Sequence, residues 1–357
     1  MMKGFKKGVV AAAALAMAAT SLTGCGTKTI DGSATVAVCN EENISMGVVA
    51  LYTRLQQSQT YSMYASYFGS TEIFSMVMDE ESGETYGEQI KDSAMDDIET
   101  FYLLRSHAAD YDVELTEDEL ASITAAAETF MAANDADALA ATGITQDAVE
   151  ELMNLYTYQS KMYTAMIADV DTEVSDEEAA QAKVTYVEIS LDGTTDEDGN
   201  TVELTEDEIQ AKKDQADAVL TKVVEAGADA DMDALAKEVD ENLSAVSSTY
   251  DADSTSVDSA IKEAVDGLAD GTIVETVITS SDETSLYVVR FDTALDRDAT
   301  DTEKESIIST RQQDDFNAEV EEWLGSAAFE IKEDVWKLLK VNDTQIYNIV
   351  TDDTTTE

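Results

Sequence analysis

Few residues in this sequence can carry proton or electron chemistry near neutral pH. There is one histidine, His107, and there are two cysteines, Cys25 and Cys39. A lone imidazole cannot supply a Ser/His/Asp arrangement, and no HExxH, P-loop or CxxC spacing occurs. Hydrolase, nucleotide and zinc chemistry are excluded, and neither a metal nor a cofactor is expected. His107 falls in a run of helical periodicity and reads as an ordinary helical residue. Cys39 reads as a small buried apolar residue, not a nucleophile. Residues Asp192 to Asn200, with Asp196, Asp198 and Gly199, hint at a calcium loop. Counting from Thr194, however, puts Thr205 where such a loop needs its bidentate glutamate, so a solvated turn is expected.

Cys25 stands where lipid chemistry is done. Lys3, Lys6 and Lys7 precede a short apolar run, Gly8 to Ala19, and no acidic residue occurs before Cys25. The run is too short for ~30 Å of hydrocarbon, which takes about 20 apolar residues. It ends in Leu22-Thr23-Gly24-Cys25, which resembles the bacterial lipobox. A signal peptide over residues 1–25 is expected, with Cys25 lipidated; two acyl chains give the stable anchoring that one does not. Residues 26–34 read as a flexible tether. The remainder is expected outside the cytoplasm, attached to the bacterial cell membrane through its lipid. Cys39 is then the one cysteine left, so no intramolecular disulfide is available.

Composition narrows the partners. The 357-residue chain has 76 acidic and 21 basic residues, a formal charge of −55. Phosphate binding needs a basic patch, so nucleic acid is excluded, and docking on anionic lipid without the anchor is disfavoured. Proline is absent altogether. After the leader the chain is long enough for two domains with cores of their own. Oligomeric state is not legible.

The elements that must position any site follow from periodicity. Val36 to Asn40 reads as a strand, and a helix runs from about Ser45 to Tyr67. Tyr61 to Met78 is rich in aromatics and methionine, and a polar loop follows through Gly83 and Gly87. Met63, Tyr64, Tyr67, Phe68, Phe74 and Met76, with Tyr61 and Met78, are the candidates for contact with many partners, since methionine and aromatics make an adaptable apolar surface. A helix-packing core is the competing reading. Further helices are expected over 88–111, from Thr116 to Ala133 and from Thr145 to Ala168. Capping boxes are read at Thr116, Ser175 and Thr205, each with glutamate three residues on. Residues 45–180 thus read as almost entirely helical. The period then switches to two over Lys183 to Leu191. Helices over 205–226, 232–241 and 257–268 follow, then strands over 272–278 and 285–292, so an α+β module spans 182–293. A long helix over 301–325 and a shorter one over 329–339 close the chain, with a disordered tail at 351–357.

This order resembles the SurA/PrsA family of extracytoplasmic foldases, which pair a helical chaperone domain with a parvulin-type peptidyl-prolyl isomerase domain. Asn40, Glu42, Ile44 and Ser45 are similar to the family's opening A-x-V-N-G-E-x-I-S. Leu103 to Leu120 is similar to its L-L-x-x-x-A-x-x-x-G-I-x-V-T-x-E-E-L. Met232 to Glu238 resembles the parvulin F-x-x-L-A-K-x, and Leu268 to Val277 resembles L-x-x-G-E-I-S-x-P-V. The resemblance implies an α+β protein: a helical SurA-like domain from 35–181 and 294–350, with a parvulin-like (FKBP-like) module inserted at 182–293.

The catalytic positions that the resemblance implies are altered. Active parvulins carry a histidine in the first and in the last strand of the module; here those positions hold Tyr186 and Tyr287. The apolar pocket walls fall near Val257 and Ile261, and the polar position near Asn242. The glycine-rich turn expected between Ser247 and Ser254 is missing. The resemblance therefore implies a membrane-anchored folding factor whose partners are unfolded or newly exported polypeptides, its isomerase module weak or inactive. The alternative is an active isomerase with a tyrosine-modified pocket.

Overall fold

The computed structural model describes residues 15–19, 30–68, 72–195, 201–343 and 347–351. The chain divides into two compact units: residues 1–170 with 312–357, and residues 171–311. The architecture is α+β, as expected.

The first unit opens with β1 (Leu15–Ala19), which pairs antiparallel with β12 (Tyr347–Thr351), a segment near the other end of the chain. The leader reading would remove that partner on maturation. The expected tether is docked from Asp31 onward. Gly32 accepts from the Gly47 amide at 2.8 Å and Ala34 from the Met46 amide at 2.8 Å. A Cβ on Gly32 would meet the Gly143 carbonyl oxygen at 1.7 Å, so only glycine permits this approach. Next come β2 (Thr35–Cys39) and β3 (Glu42–Ser45), a hairpin whose turn holds Asn40 at φ 54°.

Helices follow: α1 (Met46–Phe68), α2 (Tyr86–Ser106), α3 (Glu117–Ala133), the short α4 (Ala136–Thr142) and α5 (Gln146–Met166). Thr85 and Thr116 open α2 and α3 with complete capping boxes to Glu88 and Glu119. Apolar residues at helical spacing bury Val48, Val49 and Leu51 of α1 against Met95, Ile98 and Tyr102 of α2 and Val149, Leu152 and Leu155 of α5. The helical reading of 45–180 needs two corrections. Residues 72–85 form a turn and hairpin, and beyond Met166 the chain runs in turns. The Ser175 hydroxyl does accept from the Glu178 amide at 3.1 Å, but this cap closes a single turn and starts no helix.

The second unit is built on an antiparallel sheet. Its strands are β4 (Ala182–Ser190), β7 (Ala245–Tyr250), β8 (Thr272–Ile273), β9 (Ile278–Thr279) and β10 (Ser285–Thr293). The order is β7-β4-β10, with β8 and β9 both on the far side of β10. Between β4 and β7 lie a small hairpin, β5 (Thr194–Thr195) and β6 (Thr201–Val202), then α6 (Glu206–Ala226) and α7 (Met232–Val239). Asp196, Asp198 and Gly199 of the weighed calcium loop lie outside the described residues. The period-two alternation sorts side chains to opposite faces. Val187, Ile189, Leu286 and Val288 pack under α6 and α7. Val184, Tyr287, Val289 and Phe291 pack on the other face, under α8 (Ser259–Val265). β7 stands where the sequence reads as a polar connection: Ser247 and Thr249 are exposed and Ser248 is half-buried, and Ser247 pairs its hydroxyl with Thr185 at 2.7 Å.

The unit extends beyond the expected 182–293 span because residues 171–178 are tied to the start of α9 (Arg297–Ser326). Arg297 and Lys304 both pair with Asp176, and Arg311 pairs with Glu178. The second half of α9 belongs to the first unit, where Phe316, Val320 and Trp323 join Leu104, Met162 and Met166. The expected helix over 329–339 is instead β11 (Phe329–Ile331), paired with β2, and one helical turn, α10 (Glu333–Trp336). The free edge of β2 takes the strand: the Lys332 amide donates to the Val36 carbonyl at 2.8 Å. Of the tail expected at 351–357, Thr351 ends β12 and residues 352–357 lie outside the described residues.

Candidate functional site

The residues singled out in the sequence fall mainly on two surfaces, one in each unit. The α8 face of the second unit collects Tyr186, Tyr287, Val257 and Ile261 in one apolar cluster. Val257 and Ile261 are buried, and Tyr287 is 8 % exposed. Tyr287 lies directly across from Glu188, and Tyr186 across from Val289, so the two tyrosines are diagonal neighbours on one face. Their rings meet edge to face, with centroids 5.5 Å apart and planes at 82°. Asn242 does not join them. It lies exposed in the connection to β7, and its backbone and side-chain nitrogens both donate to Asp240 at 2.9 Å.

Electrostatics on this face hold both phenols protonated. Burial, then the charges of Glu188 and Asp258, push Tyr287 up to about 12. Burial and Glu188 raise Tyr186 as well. Glu188 itself accepts from the Ser285 hydroxyl at 2.7 Å, and Asp258 caps α8 by accepting from the Ala260 amide at 2.8 Å. Such a face offers an aromatic wall and hydroxyl donors, but no base or acid that exchanges protons near neutrality. A cleft of about 510 Å³ opens nearby on the same unit, lined by Tyr250, Val265, Leu268 and Phe291 among others.

In the first unit the aromatic and methionine stretch splits into two populations. Ile73 and Phe74 are buried with Val341, and Tyr61 and Tyr64 pack against them. Tyr64 also meets Tyr86, centroids 6.1 Å apart. Tyr67 and Phe68 end α1, and their side chains lie outside the described residues. By contrast Met63, Met76, Val77 and Met78 are each more than half exposed. Phe74 is thus corrected from a contact candidate to a core residue; Val77 has the exposure that the sequence reading did not single out.

The exposed trio sits on a pinned hairpin. Met78 donates to the Glu84 carbonyl at 2.9 Å, Tyr86 to the Met76 carbonyl at 2.9 Å, and Val77 bridges Thr85. Asp343 anchors its base, accepting from the Phe74 amide at 2.9 Å and the Ser75 amide at 3.0 Å. Gly83, at φ +76°, closes the turn.

The remaining singled-out residues find structural places. His107 stacks on Trp323 at 4.1 Å and contacts Asp110 at 3.0 Å. Cys39 is buried, and burial followed by Glu99 and Glu42 pushes its thiol up to about 11, far from a reactive thiolate. Cys25 lies outside the described residues. Among the described residues no cluster of three or more histidine, cysteine, aspartate or glutamate side chains is arranged to hold a metal, and no helix is long and apolar enough to cross a membrane.

No protein-family model matches the chain, and no curated protein matches it. Among solved structures it is similar to the foldase protein PrsA from Lactococcus lactis, at 14 % identity over 85 % of this chain and 97 % of that one, with a TM-score of 0.33. It is also similar to the foldase protein PrsA from Streptococcus pneumoniae, at 20 % identity over 74 % of this chain and 97 % of that one, TM-score 0.29. Overlaps at that level decide nothing about chemistry, which rests on the residues above.

Proposed function

We propose that this protein is a lipid-anchored extracytoplasmic folding factor that holds non-native segments of exported polypeptides, with a parvulin-like inner unit that has lost its isomerase chemistry. The observation that carries the reading is the pinned display of Met76, Val77 and Met78 on a chain of charge −55. Full burial of such a side chain is worth ~1.5–3 kcal/mol, so a half-exposed one keeps roughly half of that for a partner. Binding would be weak per contact and tolerant of sequence, as a holding function requires. The acidic exterior keeps the complex in solution.

Loss of isomerase action is supported by the tyrosines at the two expected histidine positions. Isomerisation makes no covalent bond; the enzyme has to desolvate and twist the amide. Tyr186 and Tyr287 meet edge to face, and Asn242 is turned away to Asp240. A second reading, an active isomerase with a modified pocket, draws on the shared face of Tyr186, Tyr287, Val257 and Ile261.

Two assays on the same preparation test both. Suppression of aggregation of an unfolded client is expected, with no acceleration of cis/trans exchange in a proline peptide. Exchange that is fast in the wild type and lost in Tyr186→Phe/Tyr287→Phe establishes the second reading; absence of any effect on aggregation overturns the first. The anchor has its own test: Cys25→Ala is expected to release the chain from the membrane fraction, and retention there would refute lipidation at that residue.

A further inference from the structure

The exposed hairpin borders a cleft of about 470 Å³ in the same unit, and the two share Glu84. Glu84 faces Met78 across the hairpin; Glu88 lies one turn into α2. With Asp92, Asp96 and Glu333 they give the cleft five carboxylates, over a floor that includes Trp336. None of the five forms an ion pair among the described residues. The ammonium lining the cleft, Lys91, is 9 % exposed and sits 4.0 Å over the Trp336 ring. It feels the charges of Asp92, Glu88 and Glu333, and of Lys340 nearby, but makes no close ion pair with any of the five carboxylates among the described residues, so the carboxylates outnumber these two cations. Burial and then the charge of Asp92 and of neighbouring Asp97 hold the Asp96 carboxyl above its ordinary range, a repulsion that an incoming cation relieves.

We propose that the Met76–Met78 hairpin and this acidic cleft form one docking site for polypeptide segments in which an apolar run is flanked by lysine or arginine. The apolar run lies on Met76, Val77 and Met78, while a basic side chain enters between Glu84, Asp92 and Glu333 at the mouth of the cleft. Charge complementarity selects this occupant. A purely apolar segment leaves the carboxylates unpaired, and an acidic one is repelled by them. The proposal rests on the folding-factor reading and adds which segments of a client are held.

The test uses the purified full chain and a fluorescent peptide with a Leu/Ala run between lysine clusters, followed by anisotropy. Met76→Ser/Met78→Ser and Glu84→Gln/Asp92→Asn are each expected to weaken binding about five- to tenfold, the second pair also flattening the loss of affinity with salt. A peptide with glutamate in place of lysine is expected not to bind. Equal binding of the lysine peptide by wild type and both variants overturns the proposal, as does equal binding of the glutamate peptide. So does transfer of the chain onto anionic vesicles that depends on Met76 and Met78, which would make the patch a membrane face. Aggregation assays on the same proteins separate the two ideas. Suppression retained by variants that bind the peptide normally removes this site alone; site-specific peptide binding without any suppression keeps the site and removes the folding-factor reading.

Discussion

Phe74 and Met76 are two residues apart and have opposite fates: one is 1 % exposed and the other 52 %. Phe74→Ala should therefore cost about 3–5 kcal/mol in urea unfolding, as truncation of a buried aromatic does. Met76→Ser should stay within about 0.5 kcal/mol; a large loss there would mean that the residue is packed, not displayed. Composition sees one apolar stretch at 61–78. Sorting it takes Val341 and Asp343, and the Phe74 amide finds Asp343 across 269 residues of sequence. Tyr186 and Tyr287 were legible only through the family resemblance; the register of β4 with β10 is what puts them on one face. Asn242 was not, since its place is set by a turn closed on Asp240. Tyr287 also carries a pH prediction. Its folded pKa is raised to about 12, from an unfolded value near 10. The unfolded chain gives up this proton first, so the contribution is intact below pH ~10 and is lost as pH rises toward 12. Urea midpoints should fall more between pH 9 and 11.5 in the wild type than in Tyr287→Phe; equal falls would show that the phenol is not buried.

At the scale of elements, caps were the most readable signal and also the one most easily over-read. Thr116 and Thr205 each make a complete box and open helices of 17 and 21 residues. Ser175 makes the same first bond and opens none, because Asp176 and Glu178 are drawn to Arg297, Lys304 and Arg311 instead of extending a helix. Thr205→Ala should cost about 1 kcal/mol of stability, read from thermal unfolding. Ser175→Ala should cost clearly less, and equal losses would contradict the view that only the box supports a helix. Strands were harder. β7 carries Ser247, Ser248 and Thr249, whose polarity hides a strand that exists by pairing with β4. β11 reads as the start of a second, shorter helix over 329–339, yet Phe329 to Ile331 satisfy the open edge of β2, some 290 residues earlier in the chain. A window of a dozen residues cannot contain either partner.

For the whole molecule, the first unit closes only when both ends of the chain are present. β11 must find β2, and Val341 must find Phe74, after all of the second unit has intervened. Long-range closure of this kind is slow by itself. One further source of slowness is absent, because the sequence contains no proline. Non-proline peptide bonds are cis in well under 0.1 % of cases, so no single bond of the unfolded chain carries the roughly 10–30 % cis population of an X-Pro bond, and no slow X-Pro step has to be corrected. Double-jump refolding tests this directly. Short and long unfolding delays should give the same refolding amplitudes, and an added prolyl isomerase should change no rate. A phase of tens of seconds that grows with the unfolding delay would contradict the expectation, since that timescale belongs to X-Pro isomerisation. A protein that meets other chains as they emerge unfolded gains from this property: its own maturation does not wait on the catalyst that its clients require. The tyrosines on the α8 face and the missing prolines then point the same way. Both agree with the proposed function, holding by apolar contact at the hairpin of the first unit.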